Sequence, residues 1–76
     1  MYTTDDLEKI LNFKTWSDKR KIDELLMIDA RIYASLGSDS TKSEIDDAKR
    51  KSKKIYRAIK EVDYDMGNSF LELMDK

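Results

Sequence analysis

The residues with the clearest chemical consequence are an aspartate and a serine that interrupt two otherwise apolar helical stripes. One stripe runs Asp18, Ile22, Leu25, Asp29, Ile32, Leu36, and the other Ile45, Ala48, Ser52, Ile55, Ile59, Val62, Met66. Both advance by alternating steps of three and four, the spacing of a heptad seam. Folded antiparallel about the intervening polar loop, the stripes pair Leu36 with Ile45, Ile32 with Ala48, Leu25 with Ile55 and Ile22 with Ile59. Asp29 then falls in one layer with Ser52. A buried carboxylate without partners is costly, so Asp29 is expected to accept hydrogen bonds from Ser52 and from Tyr33 or Tyr56. Such a polar layer fixes helix register at some cost in stability. The competing readings are a ligand-binding or catalytic carboxylate, or a side chain turned toward solvent or a partner chain.

A second group could contact phosphate. Seven of the twelve residues from Lys49 to Lys60 are basic: Lys49, Arg50, Lys51, Lys53, Lys54, Arg57 and Lys60. On a helix, all but Lys51 lie opposite the apolar seam, where Lys42 joins them. This face suits nucleic-acid backbone or an acidic protein. It equally suits a solvated surface neutralised by Asp23 and Glu24 of the neighbouring helix or by another subunit. No recognition-helix motif, aromatic stacking platform or glycine-rich phosphate loop accompanies it. Asp63 and Asp65 flank Tyr64 near an expected helix end, where carboxylates oppose the helix dipole, and are read as surface residues.

Other chemistries lack their residues. With no His and no Cys, the chain cannot by itself assemble a Ser–His–Asp or Cys–His arrangement, a thiolate metal site or a disulfide framework. It contains no EF-hand spacing, and a helical hairpin offers little concave volume for a substrate. No catalytic, cofactor-binding or metal-binding residue is assigned, and the chain is expected not to be an enzyme.

The elements that must position these residues read as all-α. Thr3 or Thr4 followed by Asp5 and Asp6 starts a short helix over about 5–12 carrying Leu7, Ile10 and Leu11. Thr15 precedes a long helix over about 16–36 that Gly37 ends in a left-handed turn. Thr41-Lys42-Ser43-Glu44 has capping-box spacing and opens a helix over about 42–65 that stops at Gly67. Ser69-Phe70-Leu71-Glu72 repeats that spacing before a last short helix over about 70–75. The expected fold is an antiparallel two-helix hairpin, roughly 30 Å long. The terminal helices are expected to pack together at its open end, with Trp16 and Tyr64 between them, giving one small helical domain over 1–76.

Size directs the functional reading. The chain has 76 residues, and one this short buries only about 60% of its unfolded surface. Charged residues are 41% of the chain yet cancel to a net −1, which favours a folded, ion-paired protein over a self-repelling disordered one. The longest uncharged stretch, Ile32 to Ser38, is far too short to cross a bilayer, and Asp5 and Asp6 stand where a signal peptide needs a basic region. No membrane contact is expected, and the location is read as cytoplasmic, or in a virion if the gene is a phage's. Projected on the second helix, Trp16, Met27, Ala30 and Ala34 form an apolar strip away from the main seam, which suits a helix–helix contact. Leu7, Ile10 and Leu11 at one end, and Phe70, Leu71 and Met74 at the other, are further candidate partner-binding residues. In size and composition the chain resembles the small helical adaptor, virion and host-takeover proteins of tailed phages. The expected function is a non-catalytic interaction or assembly protein, acting as a homo-oligomer or as a small subunit or adaptor of a larger complex. Second to it stands a small nucleic-acid-binding regulator using Lys49, Arg50, Lys53, Lys54, Arg57 and Lys60.

Overall fold

The first helical turn and each of the three longer helices begin where a short polar side chain satisfies a free backbone amide. The computed structural model describes residues 2–74, and among them every regular element is helical. A 3-10 turn, Thr4–Asp6, leads into α1 (Leu7–Leu11); α2 (Asp18–Ala34), α3 (Lys42–Val62) and α4 (Tyr64–Met74) follow. Thr3 caps the first turn, and its amide donates to Asp6 Oδ2 at 2.9 Å, a reciprocal capping box. Ser17 Oγ accepts from the Arg20 amide at 3.2 Å and Thr41 Oγ1 from the Glu44 amide at 3.2 Å. Such caps stabilise a helix start by about 1 kcal/mol each. No helix among the described residues is long and apolar enough to cross a membrane.

Several expected boundaries move. The second helix starts at Asp18, because Ser17 caps it in place of Thr15, and it ends at Ala34. Gly37 does not adopt a left-handed conformation. The turn closes by polar contacts, the Gly37 amide donating to Ser40 Oγ at 2.8 Å and the Ser40 amide to the Gly37 carbonyl at 3.1 Å.

The larger correction is at the C-terminal side. The third helix stops at Val62, before the expected 65, and Gly67 ends nothing: it is buried inside α4. Asp63 makes the break. Its backbone is extended (φ −140°, ψ 101°), its amide completes α3 by donating to the Ile59 carbonyl at 2.7 Å, and Oδ1 accepts from the Met66 amide at 3.1 Å. Its carboxylate therefore sits at a helix start, where the dipole favours it, and not at the unfavourable end expected from the sequence. Ser69 is not a cap; it lies within α4 and its hydroxyl donates to the Asp65 carbonyl at 2.9 Å. The last helix thus begins at Tyr64 and not at 70, and position 75 of the expected range lies outside the described residues.

With α4 this long, the chain doubles back along α3. Gly67 rests on the backbone of Lys60, Phe70 stacks on Tyr56 with ring centroids 5.0 Å apart, and Met74 borders a depression with Lys49, Arg50 and Lys53. The terminal helices therefore do not form a joint cover over one end. Each uses a different flank of α3, which also packs against α2.

The fully buried side chains are Ile10, Leu25, Ser52, Ile55 and Ile59, with Ile22, Ile28, Ala48 and Ala58 nearly so. Ile28 and Ala58 lie off the heptad seams. They are buried because α1 packs alongside α2 and α3, inserting Ile10 into the core. Two hydrogen bonds tie this N-terminal segment down: Lys21 Nζ donates to the Leu11 carbonyl at 2.9 Å, and Arg31 Nη2 to the Tyr2 carbonyl at 3.1 Å.

The contact at Gly67 yields an unusual sign for a substitution. A Cβ there would lie 2.3 Å from both Lys60 Cα and Lys60 N. Glycine to alanine inside an ordinary helix stabilises by up to about 1 kcal/mol, whereas Gly67→Ala should destabilise by about 1–3 kcal/mol through forced separation of α3 and α4. Gly37→Ala, whose Cβ would meet only the movable end of Asp39, should be near neutral. Urea unfolding of the two variants measures both.

Candidate functional site

The middle of the α2–α3 interface holds a carboxylate with both oxygens occupied. Ser52 Oγ donates to Asp29 Oδ1 at 2.5 Å and Tyr56 OH donates to Asp29 Oδ2 at 2.7 Å. Ser52 is fully buried; Asp29 and Tyr56 are half-buried. Three helical facts bring them together: Asp29 lies on the inner stripe of α2, Ser52 is on the seam of α3, and Tyr56 is one turn beyond Ser52. The Tyr56 hydroxyl is held well above its ordinary value of 10.0, first by burial, then by its hydrogen bond to Asp29, the charge on Asp29 and the nearby Tyr33. The hydroxyl therefore remains a donor throughout the neutral range. With its oxygens engaged, Asp29 is better placed to join helices than to accept a proton from a substrate. Among the described residues, no group of three or more His, Cys, Asp or Glu is arranged to hold a metal ion.

The basic face is narrower than the sequence suggested. Lys49, Arg50, Lys53, Lys54 and Arg57 are exposed, but Lys60 is half-buried beneath α4, its ammonium 4.8 Å from the centroid of the Tyr64 ring. The start of α4 thus covers one edge, and α1 borders the other, where Lys54, Arg57, Ala58 and Glu61 face Thr4, Asp5, Leu7 and Glu8 across a groove. Of the two α2 acids considered for its neutralisation, Asp23 pairs with Lys19 on its own helix at 3.1 Å. The other ion pair between described residues, Lys51–Asp47 at 3.2 Å, is also internal to one helix.

The apolar candidates divide into three groups. Ile10 is core, and Leu7, Leu11 and Phe70 pack against the core cluster, so they are consumed by folding. Leu71 and Met74 are half-buried on α4. Trp16 leaves the expected strip altogether. It precedes the first turn of α2, so a helical projection does not apply to it. It packs edge-on against Tyr2 with centroids 5.7 Å apart and tilted against Phe13 at 4.6 Å, while Arg20 lies 4.1 Å over its ring. Tyr64 is exposed and makes no part of this cluster. Met27, Ala30 and Ala34 remain exposed on α2.

Sequence reasoning missed that further apolar side chains on α2 and α4 stay exposed. Tyr33 is 41% exposed, Met66 39% and Leu73 64%. Met66 joins Ile22, Leu26 and Val62 in lining a depression of about 410 Å3 between α2 and the α3–α4 corner. The signal was present in the spacing Met66, Phe70, Leu73, but an expected helix start at residue 70 severed it. Comparison with protein-family models, curated proteins and solved structures gives no match.

Two outcomes test the polar layer. Asp29→Ala leaves two donors unpaired and should cost about 2–3 kcal/mol. Asp29→Leu combined with Ser52→Ala and Tyr56→Phe removes all three polar groups and should return stability to within about 1 kcal/mol of the parent; chemical unfolding of each variant gives the comparison. The pH response is separate. Because the folded-state value of Tyr56 lies above the unfolded one, it contributes stability that is complete below about pH 10 and is lost as pH rises further. Urea midpoints measured on either side of that pH should fall more steeply in the parent than in Tyr56→Phe.

Proposed function

We propose that this chain is a non-catalytic helical interaction protein, a small subunit or adaptor of a larger assembly or a self-associating one. The observation that carries this reading is the exposure of Met27, Tyr33, Met66 and Leu73 on α2 and α4, after the core has already taken up Ile10, Leu25, Ile55 and Ile59. A small chain gains from covering such side chains by association. Under this reading α2 and α3 act as an antiparallel hairpin whose register the Asp29–Ser52–Tyr56 layer pins. The pairs of residues that meet support it: Ile32 and Leu36 line one depression with Glu44 and Ala48, while Ile22 and Leu26 line another with Val62. The terminal segments serve as structural layers and not as free docking arms.

A second reading is favoured by the outward row Arg50, Lys54 and Arg57, exposed and without an ion pair to α2: a nucleic-acid backbone contact. It ranks lower because the first turn and α1 place Asp5 and Glu8 beside Lys54 and Arg57.

Light scattering across a concentration series, combined with partner capture, tests the first reading. The expected result is self-association or a stoichiometric partner lost on Leu73→Glu. A monomer at every concentration that captures nothing contradicts it. The same protein titrated with duplex DNA at falling salt tests the second. Three phosphate contacts would give a log–log salt slope of about −2.7, and no binding at low salt rejects it.

A further inference from the structure

We propose that the face between α2 and α4 is a docking groove for a basic amphipathic helix of a partner protein. This inference rests on the interaction reading above and names the surface and the partner chemistry.

The groove is built from two apolar rows on a shared base. One row is Leu26, Ala30 and Tyr33 on α2; the other is Met66, Phe70 and Leu73 on α4. Both advance by four and then three residues, so each row keeps to one side of its helix. The rows are aligned at two points. Leu26 and Met66 border the same depression, with Val62 of α3 beneath them. Further along, Tyr56 of α3 reaches Asp29 of α2 by a hydrogen bond and Phe70 of α4 by ring stacking. The two helices therefore run side by side in the same sense, with α3 as the floor. Leu26 and Phe70 are packed on the core, whereas Tyr33, Met66 and Leu73 keep much of their surface exposed. From Ile22 to Tyr33 the α2 wall spans roughly 16 Å, enough for about three turns of a helix presenting apolar residues at i, i+4 and i+7.

Charge selects the occupant. Four charged side chains border the depression at the Leu26–Met66 end: Asp18, Asp23, Asp63 and Lys19. The one cation is 3.1 Å from Asp23, which leaves a negative surplus around an apolar centre. A helix with Leu-type residues on one face and Lys or Arg beside them matches both features. A second copy matches poorly, because a twofold pairing of this face sets the same acids against each other.

A synthetic amphipathic peptide of about 18 residues, with Leu at i, i+4 and i+7 and Lys on the flanks, tests the groove. Its binding to the full chain is followed by calorimetry and by the methionine methyl resonances. The lysine peptide is expected to bind and to shift the Met66 methyl. Replacing its lysines by glutamate should weaken binding at least about tenfold, as should Leu73→Glu or Asp23→Lys in the protein. Both substituted side chains are exposed, and circular dichroism checks that each variant retains its helices. Equal binding of the lysine and glutamate peptides overturns the charge assignment, and binding indifferent to Leu73→Glu overturns the location. No binding of either peptide, or dimerisation through Met66 and Leu73, overturns the proposal. Partner capture that survives Leu73→Glu would preserve an interaction function while removing this groove from it.

Discussion

A carboxylate placed between two helices must have both oxygens satisfied or it destabilises the interface it occupies. Asp29 meets that condition with Ser52 and Tyr56, and the rest of the arrangement depends on it. Sliding α2 by one turn along α3 would set the charge toward Ile55 or Ala48 and leave two hydroxyls facing apolar side chains. Hydrophobic burial alone distinguishes poorly between such slips, since Ile and Leu recur along both seams. On the hairpin reading proposed above, the polar layer makes one register cheaper than its neighbours. Through the stacking of Tyr56 on Phe70, the same layer touches the third long element, so the positions of α2 and α4 on α3 are linked by one side chain.

Without disulfide, thiolate metal site or proline, the chain gains stability by surrounding α3. It is packed by α2 along its heptad seam, by α1 through Ile10 and Ala58, and by α4 through the Gly67–Lys60 approach. Each contact has a different physical basis: interdigitated aliphatic side chains, a single buried isoleucine, and direct backbone proximity permitted by a missing Cβ. Wrapping also explains the fate of the charges. Among the described residues, acids of the flanks cap helix starts at Asp6 and Asp63, pair within α2 at Asp23, and border the groove edges.

Helical class, a cap at Thr3 or Thr4 and one at Thr41, and the meeting of Asp29 with Ser52 and with either Tyr33 or Tyr56 were legible in the sequence, because each depends on local spacing or on one pairwise register. The α3–α4 corner was not. Gly67 reads as a helix terminator by propensity, yet its use is tertiary: the lack of a side chain lets two backbones touch. Asp63 reads as a poor C-terminal residue until one sees that it starts the next helix. Trp16 was misassigned because a helical wheel was extended one residue past the true cap at Ser17. The surface formed by Tyr33, Met66 and Leu73 followed from the corner, and so was hidden with it.

Function follows from what remains exposed once these contacts are made. The terminal apolar residues are largely spent on the core, the basic face is flanked on both sides, and the side between α2 and α4 keeps its apolar rows. Tyr56 is the side chain that touches both α2 and α4 where that side is built, so the junction at Tyr56 is the point to measure. Solution NMR of the unmodified protein should show a slowly exchanging Tyr56 hydroxyl proton with cross-peaks to the Asp29 β protons, and ring cross-peaks from Tyr56 to Phe70. A Tyr56 ring lacking contact with either residue, and a hydroxyl exchanging freely with water, would contradict the arrangement.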